Sequence, residues 1–225
     1  MTTMKTILAV KNEDTEKPSI HIQGFIGSSW FFEGTTDKGI KRVLDSLDGK
    51  EEIDVVINSN GGDVFQGIAI GNLLKANKAK INIIINGVAA SAASIIAMAG
   101  DTIQIYPNAQ LMIHRASTWA EGNVDVFRQT ANQLESIDKS VKASYQSRFN
   151  GTADELDELL IAEKFMDAET AINYGLVDEI IDAVQVEPNE EDDDEEDVDA
   201  VLNKVSEERE KRMAAFTAAL EKTFG

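Results

Sequence analysis

Residues 81–99 read Ile81-Asn-Ile-Ile-Ile-Asn-Gly-Val-Ala-Ala-Ser91-Ala-Ala-Ser-Ile-Ile-Ala-Met-Ala99. The near-continuous β-branched run Ile81–Ile85 predicts a buried strand. A glycine-bearing stretch follows it, and Ala92–Ala99 predicts a helix made almost wholly of small residues. Ser91 falls at or near the start of that helix, where unpaired N–H groups and the positive end of the macrodipole favour a developing negative charge. The flanking alanines leave room for a substrate carbonyl beside the hydroxyl. The ordinary alternative is an N-cap serine in a tight crossover. Ser94 is a competing nucleophile one helical turn deeper, where its side chain is expected to point into the core.

Outward from this stretch, periods of two and of 3.6 alternate. Ser19–Ile26, Ile53–Ile57, Thr102–Tyr106 and Ala109–Ile113 predict strands; Thr35–Leu47, Val64–Ala76 and a long Val124–Phe149 predict helices. The long helix carries Phe127, Ala131, Leu134, Val141 and Tyr145 on one apolar stripe, which needs either its own domain or a partner. Strand, helix, strand, helix, strand is the order of an α/β fold with a parallel sheet and right-handed crossovers. In such sheets, function gathers at the carboxyl ends of strands.

Composition narrows the chemistry. The chain has 225 residues, 43% of them hydrophobic, with no cysteine and two histidines, His21 and His114. Thiolate metal sites, a cysteine nucleophile and a three-histidine zinc site are excluded, and few candidates for a general base are left. A net charge of −19 argues against nucleic acid as partner. No apolar run has the length of a membrane span, and the N-terminus lacks signal-peptide architecture, so the chain reads as soluble and cytoplasmic. Residues 187–199, EPNEEDDDEEDVD, hold ten acids and no base, and so predict a disordered solvated linker. Three regions are expected: a folded domain over 1–186, the acidic linker over 187–199 and an amphipathic helix over 200–225.

Two further strand ends carry chemistry. Asn58-Ser-Asn-Gly-Gly-Asp63 places paired glycines after the Ile53–Ile57 strand, where backbone N–H groups can face an anion or oxyanion. A plain tight turn is the alternative. His114 ends the run Leu111-Met-Ile-His114 and can serve as the base that a serine needs; a structural edge histidine is the alternative. His21, on the opposite face of its strand from the apolar residues, reads as an ordinary strand residue.

At these residues the chain resembles the Clp proteolytic-subunit (ClpP) family of serine peptidases, over about residues 20–181. The nucleophile motif is matched by Gly87-Val-Ala-Ala-Ser91-Ala-Ala-Ser94, the histidine motif by Met112-Ile-His114 and the glycine motif by Ile57-Asn-Ser-Asn-Gly-Gly62. The closing segment is matched by Phe165-Met-Asp-Ala-Glu-Thr-Ala-Ile-Asn-Tyr-Gly-Leu-Val-Asp178. The resemblance implies a ClpP/crotonase-like superhelix of repeated β-β-α units, with the long helix protruding as the family's handle. It implies Ser91 as nucleophile, His114 as base and, two residues before Phe165, Glu163 in place of the usual aspartate, with Asp167 as the runner-up acid and first of all a helix N-cap. Gly61 or Gly62 and Ala92 become the oxyanion donors. No metal or cofactor is required. The implied partners are a polypeptide substrate and a homo-oligomeric ring, heptameric or two stacked heptamers, with a Clp-type ATPase in doubt. Asn60 stands where the family has proline, Arg115-Ala116 where it has glutamine-proline, and no axial-loop segment is found upstream of Ile20. That last absence, with the acidic tail, looks more like the phage-encoded ClpP-like enzymes of head maturation. The rival readings are a crotonase-type acyl-CoA hydratase or isomerase and a catalytically silent ring or capsid scaffold.

Overall fold

The computed structural model describes residues 7–29 and 32–181; the acidic linker 187–199 and the helix expected over 200–225 lie outside the described residues. In chain order the elements are β1 (Ile7–Lys11), β2 (Ser19–Ile26), β3 (Ser28–Ser29), β4 (Phe32–Glu33), α1 (Asp37–Ser46), β5 (Glu52–Gly62), α2 (Val64–Lys75), β6 (Lys80–Ala90), α3 (Ala92–Ala97), β7 (Thr102–Ile105), β8 (Gln110–Met112), α4 (Val124–Gln146), α5 (Ala153–Ala162), β9 (Phe165–Met166), α6 (Ala168–Asn173) and β10 (Glu179–Ile180).

The main sheet runs β1-β2-β5-β6-β7-β10, parallel from β2 onward, with β1 antiparallel at one edge. From β2 to β7 the strands lie side by side in chain order, joined through α1, α2 and α3. Each crossover therefore advances in the same direction, and the chain winds as a superhelix of the expected α/β class. The core is aliphatic: Ile20, Ile22, Ile53, Val55, Ile57, Ile83 and Ile85 have no exposed surface. The strands bury apolar side chains because helices cover them, which is why they read as runs of isoleucine and valine.

Two boundaries differ from the sequence expectation. β5 and β6 do not stop at Ile57 and Ile85 but continue to Gly62 and Ala90. A register irregularity between Ile57 and Ser59 lets the pairing resume as Ser59 beside Ala89, so the polar and small residues that resemble a turn are paired strand instead. β6 then exchanges neighbours, leaving β7 and pairing with β8.

The long helix packs only in part. Val141 and Tyr145 are buried, whereas Phe127 is 52% and Val124 60% exposed; the expected stripe splits into a buried C-terminal end and a solvent-facing N-terminal end. An ion pair from Lys142 to Asp157, 2.6 Å, ties α4 to α5. Helix α5 escaped the sequence reading, although Thr152-x-x-Glu155 forms a full capping box at its start and was a legible signal. Among the described residues no helix is long and apolar enough to cross a membrane.

Candidate active site

Parallel pairing of β6 with β8 sets Val88 beside Gln110, Ala89 beside Leu111 and Ala90 beside Met112. The Ser91 amide donates to the Met112 carbonyl at 3.0 Å. Two strands running together thus release Ser91 and His114 at the same edge of the sheet. There Ser91 Oγ lies 2.7 Å from His114 Nε2. Ser91 has φ 55° and ψ −127° and caps no amide of α3 with its side chain. The N-cap alternative therefore fails: the hydroxyl is turned toward the imidazole, on a backbone conformation that costs about 1–3 kcal/mol for a non-glycine residue. Ser94 is fully buried, away from the site's surface, as its depth along the helix requires.

The carboxylate arrives by the opposite pairing. β8 and β9 are antiparallel, with Met112 beside Phe165, so extending the register two residues sets Glu163 across from His114. Glu163 ends α5 in the left-handed conformation, φ 50°. Its Oε1 is 3.9 Å from His114 Nδ1, with the Glu163 side chain 56% exposed. That is ion-pair range, outside hydrogen-bond distance. Asp167 instead caps α6, its Oδ1 accepting from the Thr170 amide at 2.8 Å, and hydrogen bonds from Thr170 hold its carboxyl below the ordinary aspartate range. Its stabilising effect is therefore present at neutral pH and lost as pH falls through its lowered pKa. Asp167→Ala is expected to lower the melting temperature while leaving Ser91 reactive. Glu163→Ala is expected to lower kcat by about 10- to 100-fold, well short of the roughly 10⁴-fold that a fully engaged triad aspartate contributes. Peptide hydrolysis and melting curves on the two variants check this contrast, and loss of activity in Asp167→Ala with wild-type activity in Glu163→Ala would reverse the assignment. His21 sits on β2 with Nε2 3.1 Å from Ser19 Oγ; burial, then the nearby Lys11, lower its pKa.

Of the paired glycines, Gly61 packs against Ser91, whereas Gly62 packs against Ile26 and Phe25. Gly61 has φ 95°, and a Cβ there would meet the Ala90 carbonyl at 2.6 Å, Ser91 Cβ at 2.7 Å and the Ala92 nitrogen at 2.9 Å. The expectation that Gly61 offers an oxyanion donor needs correction, because its N–H donates to Ser59 Oγ at 3.0 Å. Ser59 in turn donates to the Gly24 carbonyl at 2.6 Å, so the hydroxyl is locked as an acceptor. Gly61 acts as a spacer, and Gly62 and Ala92, both lining the cleft, are the remaining candidate donors. As the first residue of α3, Ala92 has no carbonyl within the helix for its N–H.

Ser91 and His114 open into a cleft of about 300 Å³, walled by Phe65 of α2, the segment 115–118 and the inner face of α4 with Thr130, Gln133 and Tyr145. The α4 wall was not foreseen, because nothing local in the sequence says which face of a long helix turns to a site. Among the described residues no group of three histidine, aspartate or glutamate side chains is placed to hold a metal ion.

The chain is 32% identical over 142 residues to the ATP-dependent Clp protease proteolytic subunit of Deinococcus radiodurans, covering 62% of this chain and 70% of that protein. It is 32% identical over 137 residues to the protein of the same name from Pleurastrum terricola, covering 60% and 70% respectively. The Clp protease family model matches residues 40–184, a span that holds the serine, the histidine, both glycines and the closing segment, and so the chain belongs to the Clp protease family.

Proposed function

We propose that this chain is a serine endopeptidase. The observation that carries the reading is the 2.7 Å approach of Ser91 Oγ to His114 Nε2, on a serine whose side chain makes no cap bond. Ser91 Oγ attacks the carbonyl carbon of a peptide bond while His114 Nε2 takes its proton. The oxyanion accepts from the N–H groups of Gly62 and Ala92. Collapse expels the amine, which carries away the proton from His114 and leaves an acyl-enzyme ester at Ser91. Water then attacks the ester with His114 again as base, freeing the acid and restoring the hydroxyl. Glu163, by small rotation of an exposed side chain, closes on Nδ1 and steadies the imidazolium.

The test is labelling with a fluorophosphonate, followed by mass-spectrometric mapping. A single adduct on Ser91 is expected. A folded protein that takes no label, as a silent scaffold or a crotonase-type enzyme predicts, overturns the reading.

The substrate class is a polypeptide, and the assembly is a homo-oligomeric ring. The exposed apolar N-terminal end of α4, with Val124 and Phe127, supports a second copy as its cover. Static light scattering is expected to return a mass several times that of one chain, and a monomer at micromolar concentration counts against the ring. The resemblance offers two settings for this activity, capsid maturation and a Clp proteolytic subunit working with a Clp-type ATPase.

A further inference from the structure

We propose that Tyr145 and Ser94 form a buried positioning chain that fixes the Ser91–Ala92 peptide plane and, through it, the direction of the Ala92 N–H; the inference rests on the serine peptidase reading above. Ser94 Oγ lies 2.6 Å from the Ser91 carbonyl oxygen and 2.8 Å from the Tyr145 hydroxyl. A carbonyl can only accept, so the single Ser94 proton goes to Ser91. Tyr145 must then be the donor to Ser94. The order Tyr145 O–H to Ser94 O–H to Ser91 C=O is therefore fixed, and each bond polarises the next.

The target of this chain is the peptide that links nucleophile to oxyanion donor. The Ser91 carbonyl also accepts from the Ser94 amide at 3.0 Å and the Ile95 amide at 3.3 Å, and the Ser94 hydroxyl is the shortest of its three donors. A trans peptide is planar, with its C=O and N–H pointing opposite ways. Pinning the Ser91 oxygen therefore sets where the Ala92 N–H points, on a residue whose φ of 55° would otherwise relax.

Both hydroxyls are out of water: Ser94 has no exposed surface and Tyr145 has 1%. Burial raises the Tyr145 phenol far above its ordinary pKa, so it stays a donor at any working pH. Two apolar side chains would fill the same space without the cost of desolvating two hydroxyls. What the polar pair adds is aim at Ser91. Tyr145 also reaches the site from α4, so the seating of the long helix is coupled to the nucleophile loop.

The experiment compares wild type, Ser94→Ala, Tyr145→Phe and the double variant by kcat and KM for a peptide substrate, by the rate of fluorophosphonate labelling and by melting temperature. Removing an oxyanion donor outright costs about 10²–10³ in kcat, so misaiming one is expected to lower kcat about 10- to 100-fold in Ser94→Ala, with KM unchanged. Tyr145→Phe is expected to lower kcat about 5- to 10-fold and to add nothing on the Ser94→Ala background, because it acts through Ser94. The double variant leaves no buried hydroxyl unpaired, so its melting temperature is expected to recover above that of Ser94→Ala while kcat stays low. A merely structural pair would recover both. Wild-type kcat in Ser94→Ala or in the double variant overturns the proposal, as does a full additive loss from Tyr145→Phe. Should Ser94→Ala fail to fold, the double variant decides alone. A wild-type protein that neither hydrolyses nor labels overturns the peptidase reading and this inference with it.

Discussion

Replacing Ser91 by alanine is expected to reduce peptide hydrolysis about 10⁶-fold, the scale on which loss of a triad serine falls, with the melting temperature close to that of the native chain. The activity is lost because the neighbouring helix hydroxyl cannot take over: Ser94 is fully buried, and its proton is used on the Ser91 carbonyl at 2.6 Å. Stability is spared because the Ser91 side chain caps nothing in α3 and its bond to His114 lies at the wall of an open cleft. Alanine inherits the same backbone conformation, so no strain is added. Single-turnover kinetics with a fluorogenic peptide, alongside a melting curve, checks both halves. An Ala variant that hydrolyses peptides at the wild-type rate would place the nucleophile elsewhere.

Gly61→Ala is expected to lower the rate about 10²-fold, far less than loss of the Ser91 hydroxyl, and to act by geometry alone. Its φ of 95° is one that L side chains rarely adopt, and the added methyl would sit 2.6 Å from the Ala90 carbonyl and 2.7 Å from Ser91 Cβ. Backbone on one side and Ser91 Cβ on the other cannot give way like the end of a flexible chain, so residues 90–92 must shift. A displacement near 1 Å at a reacting group costs about 10²-fold in kcat, and the backbone strain costs about 1–3 kcal/mol of stability. Gly49 supplies the control, since it has φ 87° and nothing within 4 Å of an added Cβ. Gly49→Ala shares the strain but leaves kcat unchanged. Equal losses of kcat in both variants would mean that strain, and not contact with the Ser91 loop, governs the effect.

The family membership of this chain gives both expectations their context, but the site's working parts come from pairing patterns that differ on its two sides. Parallel pairing delivers the imidazole to the hydroxyl at hydrogen-bond distance, whereas antiparallel pairing delivers a longer, exposed carboxylate only to 3.9 Å. Glutamate on a left-handed helix end has more freedom than a packed aspartate.

By itself the sequence determined the α/β class, the strand cores and the chemistry available. Runs such as Ile81–Ile85 can only be buried, an absent cysteine removes a whole set of nucleophiles, and a serine set among alanines leaves space for a substrate. These are local properties, fixed by residue type and period. The tertiary structure alone decided the rest, because it depends on register between segments far apart in the chain. Ser91 meets His114 through the β6–β8 pairing, the Gly61 amide is taken by Ser59 after a shift in the β5 ladder, and Tyr145 finds Ser94 across 51 positions. No period or propensity encodes such meetings, since they follow from how the whole core closes.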